Sequence, residues 1–279
     1  FKHDYKEYLK LFKLKQPKQI FVVVAYENNA VVKAAKDLNI EVIEIQHGTI
    51  SKYHLGYSYP NKTRCFNGKL EEIAYFPDKL LSFGDYWNNS SYFPISREHI
   101  ISIGFPYFES NTKNYMGVNK ESNKILFISQ GVIGKYLSKF AFELGEKLSS
   151  YEIIYKLHPG EYSSWRENYK YLLDASKLDN FKVIDNNNTP LYQLFAESNY
   201  QIGVFSTAIY EGLSFNCKTF VLDFPGVEYL DDLVDDGFIC KINSVNELIQ
   251  NIETFAPKNY NKDFFFKKYD ENVLKNIIK

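Results

Sequence analysis

Short runs of β-branched and aromatic residues alternate with stretches of helical periodicity along nearly the whole chain, and this rhythm limits the fold more than any other feature. Residues 20–25 (Ile-Phe-Val-Val-Val-Ala) form a continuous apolar block, the pattern of a strand covered on both faces. A helical pattern follows at 29–38, then strand patterns at 41–45, 80–83 and 100–103. Residues 109–123 are polar and aperiodic and read as a linker. The rhythm then restarts, with strand patterns at 124–129, 153–157, 181–184, 200–204 and 219–222. Between and after them, Leu137, Phe140, Ala141, Leu144 and Leu148 share one helical face, and further helices read at 165–175, 190–197, 207–213, 245–254 and 263–276. Strands joined by helices imply parallel pairing. The expected fold is α/β: two Rossmann-like doubly wound parallel-sheet units facing a cleft. The first spans residues 1–115, with a closing helix at 262–279 packing back on it, and the second spans 116–261. Such sheets bind ligands beyond the carboxyl ends of their strands.

Composition removes several classes. With 45% hydrophobic and 24% charged residues among 279, the chain is neither disordered nor collagen-like nor a coiled coil. Thirty-three basic against 34 acidic residues leave a net charge of -1, so no global field draws it to nucleic acid. Cys65, Cys217 and Cys240 are too few and scattered for a zinc site or a disulfide framework, which suits a reducing, cytoplasmic setting. No apolar run approaches the roughly 20 residues of a spanning helix, and no secretory leader is visible. The chain opens at Phe1 and its only methionine is Met116, as expected of a processed or cut chain whose first unit is shortened.

Polar residues recur where the strands should end. Lys156-Leu157-His158-Pro159-Gly160-Glu161 follows one strand, and Pro159 holds His158 extended, beyond the sheet edge. There the imidazole can donate to a phosphate or protonate a leaving oxygen, with Lys156 adding charge; the alternative is a turn histidine bonded to a backbone carbonyl. Ser206 and Thr207 end another strand as a helix begins, and hydroxyls plus exposed first-turn amides make an anion site, or an ordinary serine cap. Glu211, one turn on, can accept from a ribose or a base. Ser129-Gln130-Gly131 ends a third strand, where glycine lets backbone approach a ligand. It matches neither the dinucleotide fingerprint nor a Walker loop.

In the first unit, Gln46-His47-Gly48 ends a strand and runs on to His54 and Tyr57, within a long Tyr-rich loop over residues 51–75. Glu27 follows the first strand, either as a general base or as an acid at a helix start. His47 is its partner or replacement. Asp85, after Gly84, is a further candidate acid. Asp231-Asp232 and Asp235-Asp236 read as surface acids rather than metal ligands.

The Lys-x-His-Pro of residues 156–159 and the Ser-Thr-x-x-x-Glu-Gly-Leu of residues 206–213 resemble the donor half of GT-B glycosyltransferases, in particular bacterial capsule and surface-polysaccharide Kdo, sialyl and nonulosonate transferases. The strand-end Gln46-His47-Gly48 is similar to a His-Gly motif in the acceptor half of capsule Kdo transferases and of teichoic polyol-phosphate transferases. The resemblance follows the order of elements along most of the chain, and specific residues carry it at three places. The sialyltransferases' acidic-acidic-Gly motif is absent from the first unit, and Gly203-Val204-Phe205 stands where teichoic enzymes carry an Asp before paired serines. The resemblance implies that His158, Pro159, Ser206 and Thr207 hold the donor phosphate. With them in the donor set stand Ser129, Gln130, Gly131, Lys156 and Glu211. Glu27, His47 and His158 form the catalytic set, and Gly48, His54 and Tyr57 stand on the acceptor side.

The function expected is a metal-independent glycosyltransferase with no cofactor. Its donor is a nucleotide sugar, CMP-linked nonulosonate or Kdo before UDP-sugar. Its acceptor is a glycan or lipid-linked glycan, consistent with peripheral association with the inner membrane or with other glycosyltransferase domains. A nucleotide-sugar epimerase of the same fold, a polyol-phosphate transferase and a non-catalytic binding module are the alternatives.

Overall fold

A computed structural model describes residues 1–59, 75–115 and 117–278. Most of the expected Tyr-rich loop, together with Cys65 and Met116, lies outside the described residues. The chain divides into two compact units, Phe1–Glu109 with Asn261–Lys279, and Ser110–Tyr260.

The first unit holds four parallel strands, β1 (Gln19–Val22), β2 (Glu41–Ile45), β3 (Lys79–Ser82) and β4 (Ile100–Ser102), side by side in sequence order. Helices Lys2–Lys15 and Asn29–Lys36 bury Phe12, Val32, Ala34 and Ala35 against Val22 and Val42 on one face. The closing helix Glu271–Ile277 packs Ile277 with Ile43, Leu81 and Ile103 on the other.

The second unit holds six parallel strands, β5 (Glu121–Ile128), β6 (Glu152–Lys156), β7 (Phe181–Ile184), β8 (Ser198–Gly203), β9 (Lys218–Leu222) and β10 (Cys240–Ile242), ordered β10-β9-β8-β5-β6-β7. The chain grows outward from β5 to β7, then returns to the opposite side of β5 to lay down β8. The strand order therefore reverses between β5 and β8, where an open α/β sheet binds its ligands. The core is built as the periodicity requires: Ile125, Leu126 and Phe127 of β5 are fully buried, as are Leu137, Ala141 and Leu144 of helix Gly134–Lys147, and the Phe127 ring lies 6.4 Å from that of Phe140 on the same helix.

Four expectations need correction. The block at 20–25 is a strand only to Val22, because Val24 turns at φ 57. It is not covered on both faces either: β1 is an edge strand, and Phe21, on the face opposite Val22, is 40% exposed. The linker at 109–123 is largely ordered. Its polar residues sit on helix Pro106–Thr112 and on the exposed first residues of β5. Lastly, the helix expected at 263–276 begins only at Glu271.

The preceding segment instead runs along the ends of β3 and β4. Phe265 carbonyl accepts from Trp87 Nε1 at 2.7 Å, Lys267 N–H donates to Phe83 at 2.8 Å, and Asp270 N–H donates to Ile103 at 3.2 Å. Phe266 packs with Phe83, Phe105 and Phe108. This close approach requires glycine at two places. A Cβ on Gly84 would stand 2.7 Å from the Phe265 carbonyl, and Gly104, at φ 92, would meet Lys267 at 2.6 Å.

Phe265 is fully buried, its ring 4.9 Å from that of Tyr86. Phe265→Ala is therefore expected to lower the unfolding free energy of the first unit by about 3–5 kcal/mol in urea melts. Leu14→Ala, at a position 77% exposed, is expected to change it by less than about 0.5 kcal/mol.

Candidate functional site

In the second unit β5 lies between β6 and β8, and all three are parallel, so their carboxyl ends meet on one edge. At a strand spacing of about 4.8 Å, the loops after β6 and β8 stand about 10 Å apart, with the β5 loop between them. The fold thus gathers Ser129-Gln130-Gly131, His158-Pro159 and Ser206-Thr207.

A residue outside the expected set organises two of these loops. Glu161 is 3% exposed. Its Oε1 accepts from Ser129 Oγ at 2.9 Å and from Tyr169 OH at 2.8 Å, and its Oε2 accepts from the His158 N–H at 2.8 Å. Ser129 Oγ also lies 3.2 Å from Tyr155 OH. The Ser129 hydroxyl is therefore turned inward, as part of the scaffold under the site.

His158 is extended at φ -68, ψ 145, as a residue before proline should be, and exposed. Its Nδ1 accepts the Gly160 N–H at 3.2 Å, rather than the ring donating to a backbone carbonyl. That bond places the neutral ring's proton on Nε2, which is left as a donor. Lys156 serves elsewhere: it is 8% exposed, and its ammonium bonds Tyr162 OH and the Asn186 carbonyl.

Ser206 does cap its helix, its Oγ accepting from Ala208 N–H at 3.2 Å. Ile209 N–H is taken by the Ser206 carbonyl at 3.1 Å. The expected cluster of exposed amides is thus reduced, and the Ser206 and Thr207 hydroxyls with the helix dipole carry more of any anion binding. Glu211 follows Thr207 by one turn of helix Thr207–Ser214, on the same side. Loss of hydration pushes its carboxyl up to about 7, against a 3.4 Å bond from Tyr192 OH that favours ionisation.

The first unit gathers a second cluster at its own carboxyl edge. Gln46 pins the loop after β2, donating to the Gly48 carbonyl at 2.9 Å and accepting from Phe83 N–H at 2.8 Å. The Tyr26 ring lies 6.4 Å from His47, 5.1 Å from His54 and 5.3 Å from Tyr57. Burial lowers the pKa of His47, against an opposing pull from Glu27, and it lowers that of His54 as well. Both rings are therefore neutral at pH 7. His54 Nδ1 accepts from Gly56 N–H at 3.1 Å. Tyr57, 1% exposed, donates to Glu44 Oε1 at 2.7 Å. Glu27 is exposed. Asp85 is drawn to the scaffold, accepting from Ser102 Oγ at 2.6 Å.

Sequence reasoning missed Glu161, Glu44 and Tyr26. Glu44 is fully buried, and burial pushes its carboxyl up despite bonds from Tyr57 and the Ala25 N–H. Its signal was an acid inside an apolar strand, Val42-Ile43-Glu44-Ile45. That of Glu161 was an acid three residues after His158, in capping-box position. Among the described residues, no three His, Cys, Asp or Glu side chains gather into a metal-binding group, and no helix is long and apolar enough to cross a membrane.

No protein-family model matches the sequence, and no curated protein does. Solved structures do. The UDP-GlcNAc 2-epimerase of Methanocaldococcus jannaschii, in complex with UDP-GlcNAc and UDP, aligns with 98% of this chain and 79% of its own, at 16% identity and TM-score 0.62. That of Neisseria meningitidis, bound to UDP-GlcNAc, aligns with 99% of this chain and 80% of its own, at 14% identity and TM-score 0.63. The S. aureus MnaA–UDP structure aligns with 99% and 78%, at 14% identity and TM-score 0.57. At these identities the likeness is one of fold, and the chain has a GT-B-like fold.

The folded protein keeps the Glu211 proton to about pH 7, whereas the ordinary carboxyl loses it near 4.5. Between those values the native state binds more protons than the unfolded state, so stability falls as pH rises. The fall amounts to about 3 kcal/mol at about 1.4 kcal/mol per pKa unit. Glu211→Gln is expected to remove it. Urea unfolding of both proteins at pH 4, 5.5 and 8 checks this: the variant gains on wild type across the window.

Proposed function

We propose that this protein is a metal-independent glycosyltransferase that takes a sugar from a nucleotide-sugar donor. The observation that carries the reading is the convergence of His158, Ser206 and Thr207 at the point where the second unit's strand order reverses. Cleavage of the sugar–phosphate bond leaves the electron pair on a phosphate oxygen. His158 Nε2–H and the two hydroxyls are donors suited to that growing charge, and the helix dipole has the right sign. Glu211 accepts from the ribose.

The acceptor and its base belong to the first unit. His47, neutral at pH 7, takes the proton of the acceptor hydroxyl, and the Glu27 charge stabilises the imidazolium that results. The Tyr26 and His54 rings offer aromatic faces to a glycan or lipid-linked glycan presented at the cytoplasmic side of a membrane. The sequence resemblance favours a CMP-linked donor, whereas UDP is the nucleotide bound in the fold neighbours.

A second reading is conversion of a nucleotide sugar without an acceptor. It is supported by the fold shared with enzymes named as UDP-GlcNAc 2-epimerases over 98% and 99% of this chain. Incubating labelled CMP-, UDP- and GDP-sugars with and without glycan acceptors separates the two. Product formed only with acceptor supports transfer, and an altered sugar formed without acceptor supports epimerisation.

Two variants test the assignments. Replacing Ser206 and Thr207 together by Ala should weaken nucleotide binding in calorimetry by roughly 1–3 kcal/mol, the scale of charge-assisted hydrogen bonds. An unchanged affinity in the folded double variant would sink the phosphate site. His47→Ala should lose transfer by at least about 100-fold while nucleotide affinity stays at the wild-type value. Wild-type turnover in this variant would move the base elsewhere.

A further inference from the structure

The loop after β5 holds one side chain whose polar capacity the fold leaves unspent. Ser129 is turned inward to Glu161 and Tyr155, and Gly131 has no side chain. Gln130 stands between them. Its Oε1 is buried and has no hydrogen-bond partner. A buried amide oxygen without a donor costs stability, and such groups are uncommon in native folds. The fold tolerates this one at the point where the strand order reverses.

Its position says what kind of donor it awaits. Strands β5 and β8 stay paired to Phe127↔Ile202. Gln130 and Phe205 each lie three residues beyond that pair, so Gln130 leaves the sheet beside the Ser206-Thr207 turn. An ionised phosphate there carries no hydrogen to give, so an amide oxygen does not recognise it. Glu211, on the helix beyond Thr207, is placed for the ribose. The remaining donors on a nucleotide sugar close to the phosphate are the hydroxyls, or an acetamido N–H, of the sugar itself.

Resting on the donor-site reading above, we propose that Gln130 is the specificity-determining residue for the transferred sugar, its amide oxygen accepting from a sugar hydroxyl or acetamido N–H. It contributes to recognition of the nucleotide sugar and not of the bare nucleotide. Glu161 makes this possible, because by engaging the Ser129 hydroxyl it leaves the Gln130 amide oxygen as the loop's unbonded side-chain acceptor.

Calorimetry of the wild-type protein with CMP, UDP and GDP identifies the nucleotide. Titrations with CMP-N-acetylneuraminate, UDP-N-acetylglucosamine, UDP-glucose and GDP-mannose identify the tightest-binding nucleotide sugar. For that pair, Gln130→Ala is expected to weaken the nucleotide sugar about tenfold, the worth of one hydrogen bond to a buried acceptor, and to leave the bare nucleotide within about twofold. Gln130→Asn, which shortens the side chain without removing the amide, carries the same comparison should the alanine variant fail to fold. Tyr155→Phe, which removes a hydroxyl beneath the loop, is expected to lower the melting temperature and leave the ratio of affinities unchanged. An equal loss for nucleotide and nucleotide sugar, or an unchanged ratio, overturns the assignment. A wild-type protein that binds none of these compounds overturns the donor-site reading itself, and this inference with it.

Discussion

The arrangement of the second unit's site depends on one buried carboxylate. Taking a charge out of water costs several kcal/mol unless it is hydrogen-bonded, and Glu161 meets that condition with three donors from three places. One is the Ser129 hydroxyl after β5, one the His158 backbone amide after β6, and one the Tyr169 phenol. Two adjacent strand ends thus become a single rigid edge, and His158 is presented with its Nε2 outward because both its backbone and its Nδ1 are already committed. The positions of the site's outward groups follow from where the inward ones are fixed.

Much of this was legible in the residues, and the parts that were not share a cause. Strand positions were readable where buried strands carry apolar runs, as β5 and β6 do; β8, Ser-Asn-Tyr-Gln-Ile-Gly, instead buries Gln201 beside Tyr200 and Ile202. Their ends were readable too, since Pro159 cannot continue a ladder and Ser206 caps a helix. Which side chain at a strand end is claimed by the scaffold was not readable. Lys156 and Ser129 look like ligand groups by type and place, yet tertiary partners distant in sequence claim both: Asn186 for the lysine and Glu161 for the serine. Periodicity carries information along the chain, and such partners lie across it.

The closing segment shows the same limit from the other side. Residues 263–269 were expected as part of the closing helix, packed by their aromatic density onto the first unit; instead a single 3-10 turn at Lys262–Phe264 gives way to an irregular path over a ring-lined surface. Phe83, Trp87 and Phe105 supply that surface, and the glycines at 84 and 104 let the backbone close on it. Local propensity lost to packing, as it commonly does where a segment is stabilised mainly by what it covers. Only the last stretch, Glu271–Ile277, with Asp270 accepting from Asn272 N–H at its start, follows its own helical preference.

The first unit carries a different kind of tension. Val24 sits at φ 57, a costly region for a β-branched residue, and this turn directs the Ala25 N–H to Glu44 Oε1 at 3.1 Å. Glu44 in turn is fully buried, with its second oxygen lacking a partner. A strained backbone and an under-bonded acid thus meet at one strand end. Glu44 is bonded by Tyr57, whose ring packs with those of His54 and Tyr26. The strain and the buried acid are therefore understood together, as the cost of holding two neutral imidazoles among aromatic rings at the edge of the sheet. In the second unit a well-bonded carboxylate fixes the site, whereas in the first an under-bonded one does.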